Sequence, residues 1–308
     1  MEKLFVPFRE RERQAGSTWP NGARLAVAMY IAIEEWSEEN MAKYGNPPLL
    51  TARFLPGMER PDLAIMSTIE YGYRVGIWRL LEIFESFGVK PTLLSNGLAI
   101  ERHPELFQEL VRLGYRIVLH LYDQSRRAAQ LSNKELREDI QRCVKVARDV
   151  TGQRPLGWGS PGTRQYKEIF DILLDEGFEF HQGLHDDELP YFIRTDSGRH
   201  IVEIPYRIVD TGELNDFNMS LSGETRIQSE CFSYIREFFE ARHKEAGKRP
   251  ALVSFGCHPY ISGRPDRANV VRYFLQYIRG FTDVWVAGNF DEVYLWWKKQ
   301  FGPQFGIK

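Results

Sequence analysis

Several stretches of the sequence carry side chains able to do chemistry. Glu34-Glu35-Trp36 follow a near-continuous apolar run, Leu25 to Ile33 (LAVAMYIAI). Adjacent carboxylates at the end of a buried run repel unless a metal, a shared proton or hydrogen bonds offset them, so the pair suits acid–base or metal chemistry. The ordinary alternative is a solvated turn. A second run, from Arg116, delivers His120, with Tyr122, Asp123 and Gln124 close behind. A lone histidine there is more often structural than functional. Leu156 to Arg164 (LGWGSPGTR) ends a strand with three glycines and a proline. Such a loop brings backbone N–H groups near a ligand, as an oxyanion hole requires, or is simply a tight turn. His181 and His185 lie in FHQGLHDDELPYF beside Asp186, Asp187 and Glu188. Their spacing would suit metal ligands on a helix, but they follow a strand signal, which favours a substrate-contacting loop. Last, Ala251 to Phe255 runs into Gly256-Cys257-His258-Pro259. No local feature activates the thiol of Cys257, which reads as a small core residue.

In parallel α/β proteins ligands collect at the C-terminal strand ends, where these residues fall. The elements that must place them alternate in type. Strand signals at Leu25–Ile33, Thr92–Ser95, Arg116–Leu121, Leu156–Trp158, Phe178–Gly183, Ile201–Pro205, Ala251–Phe255 and Val284–Ala287 interleave with helical periodicity at 75–87, 103–113, 133–150, 165–176, 229–245, 268–279 and 290–299. About seven β-α units predict an α/β parallel sheet closed as a barrel. The proline-bearing stretch from Glu34 to Ser67 reads as a long loop of the kind that forms lids. Val75 and Trp78 are expected on the apolar face of helix 75–87, with Leu80, Leu81, Phe84 and Phe87.

The 308 residues hold 40 Lys+Arg against 42 Asp+Glu, a net charge of −2, which gives no reason to expect nucleic acid or an anionic membrane as partner. Three widely spaced cysteines argue against a disulfide framework or a zinc knuckle. The charged first twenty residues lack an apolar signal core, and no run of about 18 apolar residues exists, so a cytoplasmic protein is expected. Residues 1–20 read as an N-terminal arm and 21–308 as one barrel domain.

The stretches WPNGARLAVAMYIAIEE, IEYGYRVGIWRLLEIFESFGVKPTLLSNGLAIERHPEL, LGYRIVLH, TGQRPLGWGSPGTR, DDELPYF, VEIPY and GCHPYISGRPDRANVVRYFLQYI resemble, in order and over nearly the whole chain, the polysaccharide-deacetylase-like superfamily. Within it they look most like the branch containing the metal-independent allantoinases. The resemblance implies a distorted (β/α)7 barrel, NodB-like, in a single domain. It implies a catalytic-base carboxylate at Glu34, a metal-ligand carboxylate at Glu35, a ligand histidine at His120 and a general-acid histidine at His258. The second histidine of the metal-dependent members is replaced by Gln124, which suits the allantoinase-like branch. If a single divalent metal is held, zinc is the expected ion and Glu35, His120 and Asp123 its ligands. Homo-oligomers are implied as well.

The expected chemistry is hydrolysis of a non-peptide C–N bond in a small amide, cyclic amide or ureide. Glu34, its pKa raised by Glu35 and burial, is expected to take a proton from water, and His258 to protonate the leaving nitrogen. A metal, or donors from Gly159–Thr163 and His120, are expected to meet the oxyanion. Trp36, Trp158, Tyr191, Phe192 and Tyr260 are candidates for stacking on a ring, Ser160 for a polar contact, and Arg164 or Arg264 for a carboxylate or ureido group. The alternatives are metal-dependent N-acetyl deacetylation and a non-catalytic ligand-binding barrel. Convergence of Glu34, Glu35, His120 and His258 in one pocket would favour catalysis.

Overall fold

A computed structural model describes residues 19–44, 63–206 and 228–307. Their strands are β1 (Leu25–Ile33), β2 (Thr92–Ser95), β3 (Ile117–Leu119), β4 (Gly157–Gly159), β5 (Phe180–Gln182), β6 (Tyr191–Arg194), β7 (His200–Ile204), β8 (Ala251–Cys257) and β9 (Val284–Val286). They form one sheet in the order β6-β7-β5-β4-β3-β2-β1-β8, with β9 against β1. Every pairing is parallel except β6 with β7. One edge of β1 is shared: β9 pairs at Leu25–Val27 and β2 at Tyr30–Ile33. The fold is the α/β, distorted NodB-like barrel the sequence implies, with the antiparallel strand β6 added beyond β7 at one end of the sheet.

Alternation along the strands divides the core in two. Leu25, Val27, Met29, Ile31 and Ile33 of β1 pack outward with the helices, among them Ile77, Leu80 and Phe84. Ala26, Ala28, Tyr30 and Ala32 face inward, with Leu94, Val118, Phe180, Val202, Ile204 and Leu252. Successive side chains of a strand point to opposite faces, so both faces being apolar produces the unbroken hydrophobic run of β1. Helix Phe290–Phe301 packs at the N-terminal strand ends. Its Phe290 N–H donates to Thr92 Oγ1 (2.8 Å), and Lys298 Nζ reaches Glu179 beside β5 (2.8 Å). The opposite mouth therefore holds the site.

Several boundaries differ from the expected ones. Residues 1–18 of the expected arm lie outside the described residues, whereas Trp19 is buried against Trp285 and Trp297, and its indole N–H donates to Ala251 O (2.9 Å). The expected lid contains helices Glu38–Tyr44 and, from Leu63, Leu63–Tyr71, while 45–62 lie outside the described residues. Helix 75–87 is a π-turn, Gly72–Gly76, running into helix Ile77–Ser86. The turn exposes Val75 and Trp78, which were expected to be buried. A Cβ at Gly76 would overlap the Pro259 carbonyl, so glycine lets this turn press against the segment that follows His258.

Candidate active site

The alternation that builds the inner core carries on past the strand ends. In phase with Ala32 comes Glu34; with Val118, His120; with Gly157, Gly159; with Phe180, Gln182; with Ile204, Tyr206; and with Leu252, His258. These residues line one pocket with Tyr30, Trp36, Gln124, Arg127, Ser160 and Thr163, enclosing about 570 Å³ with its open mouth counted.

Glu34 is its centre and is buried. Its Oε1 accepts a hydrogen bond from Gln124 Nε2 (2.5 Å), and its Oε2 lies 3.3 Å from His258 Nε2. His120 Nε2 stands 3.6 Å from Oε1. The other nitrogen of His120, Nδ1, is 2.7 Å from Gly159 O. A carbonyl only accepts, so Nδ1 carries the proton, and neutral His120 turns the lone pair of Nε2 toward the carboxylate. Burial pushes the His120 pKa down, and the attraction of Glu34 does not restore it. For Glu34 the largest influence, burial, acts upward, but His258, His120 and Arg127 together outweigh it and hold the carboxyl below its usual value. The expected rise is thereby reversed: the positive neighbours matter more than Glu35.

Glu35 faces the other way. Its carboxylate takes Arg102 Nη1 (3.1 Å) and His103 Nε2 (3.2 Å), and its backbone N–H and C=O are held by the Asn96 amide (both 2.9 Å). Asp123 is occupied by the N–H groups of Ser37 (3.2 Å) and Ser125 (2.9 Å) and by Asn40 Nδ2 (2.7 Å), besides the two serine hydroxyls. The ligand set Glu35, His120 and Asp123 therefore does not assemble. Among the described residues no three His, Cys, Asp or Glu side chains are grouped to hold an ion. A single divalent metal is compatible with likeness to deacetylases, but the side chains named for it do not fit one.

Of the other candidates, Trp36 and Ser160 line the pocket, and Tyr260 packs edge-on to both Trp36 and His258 just behind it. Trp158 and Tyr191 belong to the outward phase. Trp158 is buried against Phe178, and the Tyr191 hydroxyl donates to Asp186 (2.6 Å). Phe192 is inner core, stacked on Phe305. Arg164 is exposed, and Arg264 lies over the Tyr71 ring. The glycine-rich loop reaches the pocket, but the N–H groups of Thr163 and Arg164 are spent within its own turn, on Ser160 O (2.8 Å) and Pro161 O (3.4 Å). Thr163 takes a left-handed conformation (φ 55°), rare for a β-branched residue, and its hydroxyl is held by His185 Nε2 (3.0 Å). His181 is sealed in the outward core, its Nδ1 2.5 Å from Glu203 Oε2. Glu203 also accepts the N–H groups of Gly183 (2.9 Å) and Leu184 (2.7 Å), fixing the loop after β5. The three cysteines are buried, and none forms a disulfide among the described residues.

The sequence reading passed over Gln182, Tyr206, Arg127 and the bond from Gln124 to Glu34. Strand alternation would have found the first two. Arg127 sits in a loop, where no periodicity marks it.

The polysaccharide deacetylase family model matches residues 57–181. The solved structure of PuuE allantoinase superposes with a TM-score of 0.81 at 25% identity, covering 91% of this chain and 92% of that one. In sequence the chain is similar to polysaccharide deacetylases, and in fold to PuuE allantoinase. A superfamily member in Schizosaccharomyces pombe, assigned by name to the polysaccharide deacetylases, is 23% identical over 87% of this chain and 89% of its own length. The peptidoglycan deacetylase of Helicobacter pylori is 31% identical over 39% of this chain and 41% of its own length. The deacetylase-like and allantoinase-like members are hydrolases of carbon–nitrogen bonds other than peptide bonds.

Proposed function

We propose that this chain hydrolyses a C–N bond in a small cyclic amide, ureide or related amide, with Glu34 as general base and His258 as general acid. One observation carries the reading: Glu34 Oε1 and the lone pair of His120 Nε2, two acceptors, face each other at 3.6 Å while His258 Nε2 lies 3.3 Å from the other oxygen of Glu34. A water held between the two acceptors donates one O–H to each and keeps a lone pair for the substrate carbonyl. Glu34 takes its proton as oxygen bonds to carbon. The oxyanion forms beside the fixed positive charge of Arg127, which lines the pocket. His258, as the imidazolium paired with the Glu34 carboxylate, gives its proton to the departing nitrogen as the C–N bond breaks. The proton on Glu34 then passes to His258, so water has added across the bond and both residues are reset. A carboxylate held low in pKa is a weak base, but it is fully ionised at neutral pH and fixed in place, which offsets the difference.

A second reading, metal-assisted removal of an N-acetyl group, is supported by the likeness to the peptidoglycan deacetylase. No step is assigned to a metal, because the side chains named for it are engaged elsewhere. The proposal also takes a small-molecule substrate rather than nucleic acid or membrane, a cytoplasmic location and a homo-oligomer. A net charge of −2 and the lack, among the described residues, of a helix long and apolar enough to cross a membrane agree with it. The test is turnover of allantoin, hydantoin-type rings and N-acetylglucosamine by the wild type and Glu34→Gln. Full activity in the variant on any turned-over substrate defeats the assignment.

A further inference from the structure

Gln182 plays no part in that scheme, yet it is the most telling polar group in the pocket. It ends β5 on the inward phase and is 2% exposed. Both polar atoms of its carboxamide, Oε1 and Nε2, are buried without a hydrogen-bond partner among the described residues, although the side chain lines the pocket. Leaving a buried amide unpaired is costly, and proteins keep such groups mainly where something else completes them. Gln124 adds a second case. Its Nε2 is spent on Glu34, while its Oε1 is buried in the same pocket with no partner among the described residues.

We propose that Gln182 recognises the substrate by pairing its carboxamide, edge to edge, with a cis amide or ureido group, and so selects cyclic ureides and lactams over N-acetyl sugars. The proposal rests on the pocket being the hydrolytic site described above. A carboxamide offers one acceptor and one donor side by side. Its match is a C=O and an N–H on the same side of a C–N bond. Rings of five or six atoms lock that arrangement. An open-chain secondary amide such as an acetamido group is trans, with C=O and N–H on opposite sides, and reaching cis costs about 2.5 kcal/mol. The rest of the pocket agrees. Gln124 Oε1, the Glu34 carboxylate and the lone pair of His120 are all acceptors, and a ureide supplies more N–H donors than a single acetamide does. Gly159, paired with Gln182 across β4 and β5, has no side chain to crowd the approach; a Cβ there would lie 3.5 Å from the His120 ring.

The experiment compares wild type with Gln182→Met, which keeps length and removes both polar atoms, and Gln182→Glu, which removes the donor. Substrates are a hydantoin-type cyclic ureide and N-acetylglucosamine. The expected result is a loss in kcat/KM on the cyclic ureide of roughly 10²-fold or more, mostly through KM, and at least tenfold larger than any loss on the acetamide. Equal losses on both, or an unchanged KM on the cyclic ureide, overturn the inference and leave the assignment of Glu34 standing. A wild type that prefers N-acetylglucosamine overturns it too. Inactivity of the wild type on both classes, or full activity of Glu34→Gln, strikes instead at the hydrolytic reading. Should the variants fail to fold, calorimetric titration of the wild type decides. A ring N-methylated at the recognised N–H should bind at least tenfold more weakly than its parent, and equal affinity sinks the proposal.

Discussion

Glu34 and Glu35 are neighbours in the chain and face opposite sides of the sheet. The carboxylate of Glu34 meets Gln124, His120 and His258 in the pocket, whereas that of Glu35 is held by Arg102 and His103 behind it. Two charges that might have shared one ion or one proton are instead each met by separate partners. In the proposed scheme the side chain of Glu34 does the chemistry, while that of Glu35 braces the start of the loop that carries Trp36.

Replacing Glu34 by Gln, or His258 by Asn, is expected to lower kcat by roughly 10²–10⁴-fold with little change in fold. Steady-state kinetics paired with circular dichroism would check it. Activity within a few fold of wild type in either variant removes that residue from the mechanism.

The pH dependence follows from the lowered pKa of Glu34. The base is ionised down to a pH below the ordinary carboxylate value of about 4.3, so the acid limb it sets on kcat/KM lies lower still. In stability the sign is the same. A depressed folded-state pKa contributes stability above the unfolded value and loses it as pH falls through the folded one. An acid limb near pH 6 that vanishes in Glu34→Gln would contradict this ordering.

Glu35→Gln should leave turnover within a few fold while costing stability. Arg102 is largely solvated, so the ion pair contributes on the order of 1 kcal/mol or less. Treatment with a chelator, checked by elemental analysis, is likewise expected to leave activity intact. Activity lost on chelation and regained with one divalent ion, together with an inactive Glu35→Gln, would restore Glu35 as a ligand.

Asp139 offers a stability test away from the site. Burial is the main cause that lifts its pKa to about 6, while its Oδ1 accepts the N–H of Tyr122 (2.8 Å). A raised acid binds more protons folded than unfolded, so the fold loses stability as pH rises from about 4 through 6. Asn keeps the acceptor and does not ionise. Asp139→Asn should gain on wild type by about 1–3 kcal/mol between pH 4 and pH 8 in urea melts. Parallel pH profiles for the two proteins would refute the shift.

Gly256→Ala would put a methyl group into the Tyr30 ring, whose hydroxyl is bonded to that of Tyr206 (2.5 Å) at the pocket wall. Such overpacking costs about 1–3 kcal/mol, and displacement of a lining residue should raise KM. Thermal melts and kinetics on the same preparation would show both effects, and an unchanged melting point would mean the ring has room to move.

The sequence by itself determined eight of the nine strands, all but β6, and placed Glu34, His120 and His258 at strand ends, where a period of two then fixes their inward aim. Those are local properties: each follows from which face of its own strand a residue occupies. Where that rule was not applied, Trp158, Tyr191 and Glu35 were assigned to a site they turn away from. Only the tertiary structure decided what each inward group meets. Gln124 reaches Glu34 across 90 residues of sequence, and Arg102 reaches Glu35 across 67. The pKa of Glu34 is a balance of burial against His258, His120 and Arg127, brought together from the ends of β3 and β8, and its sign emerges only once their distances exist. The unpartnered amide of Gln182 is likewise invisible in the chain, because a missing hydrogen bond is a property of everything that surrounds it.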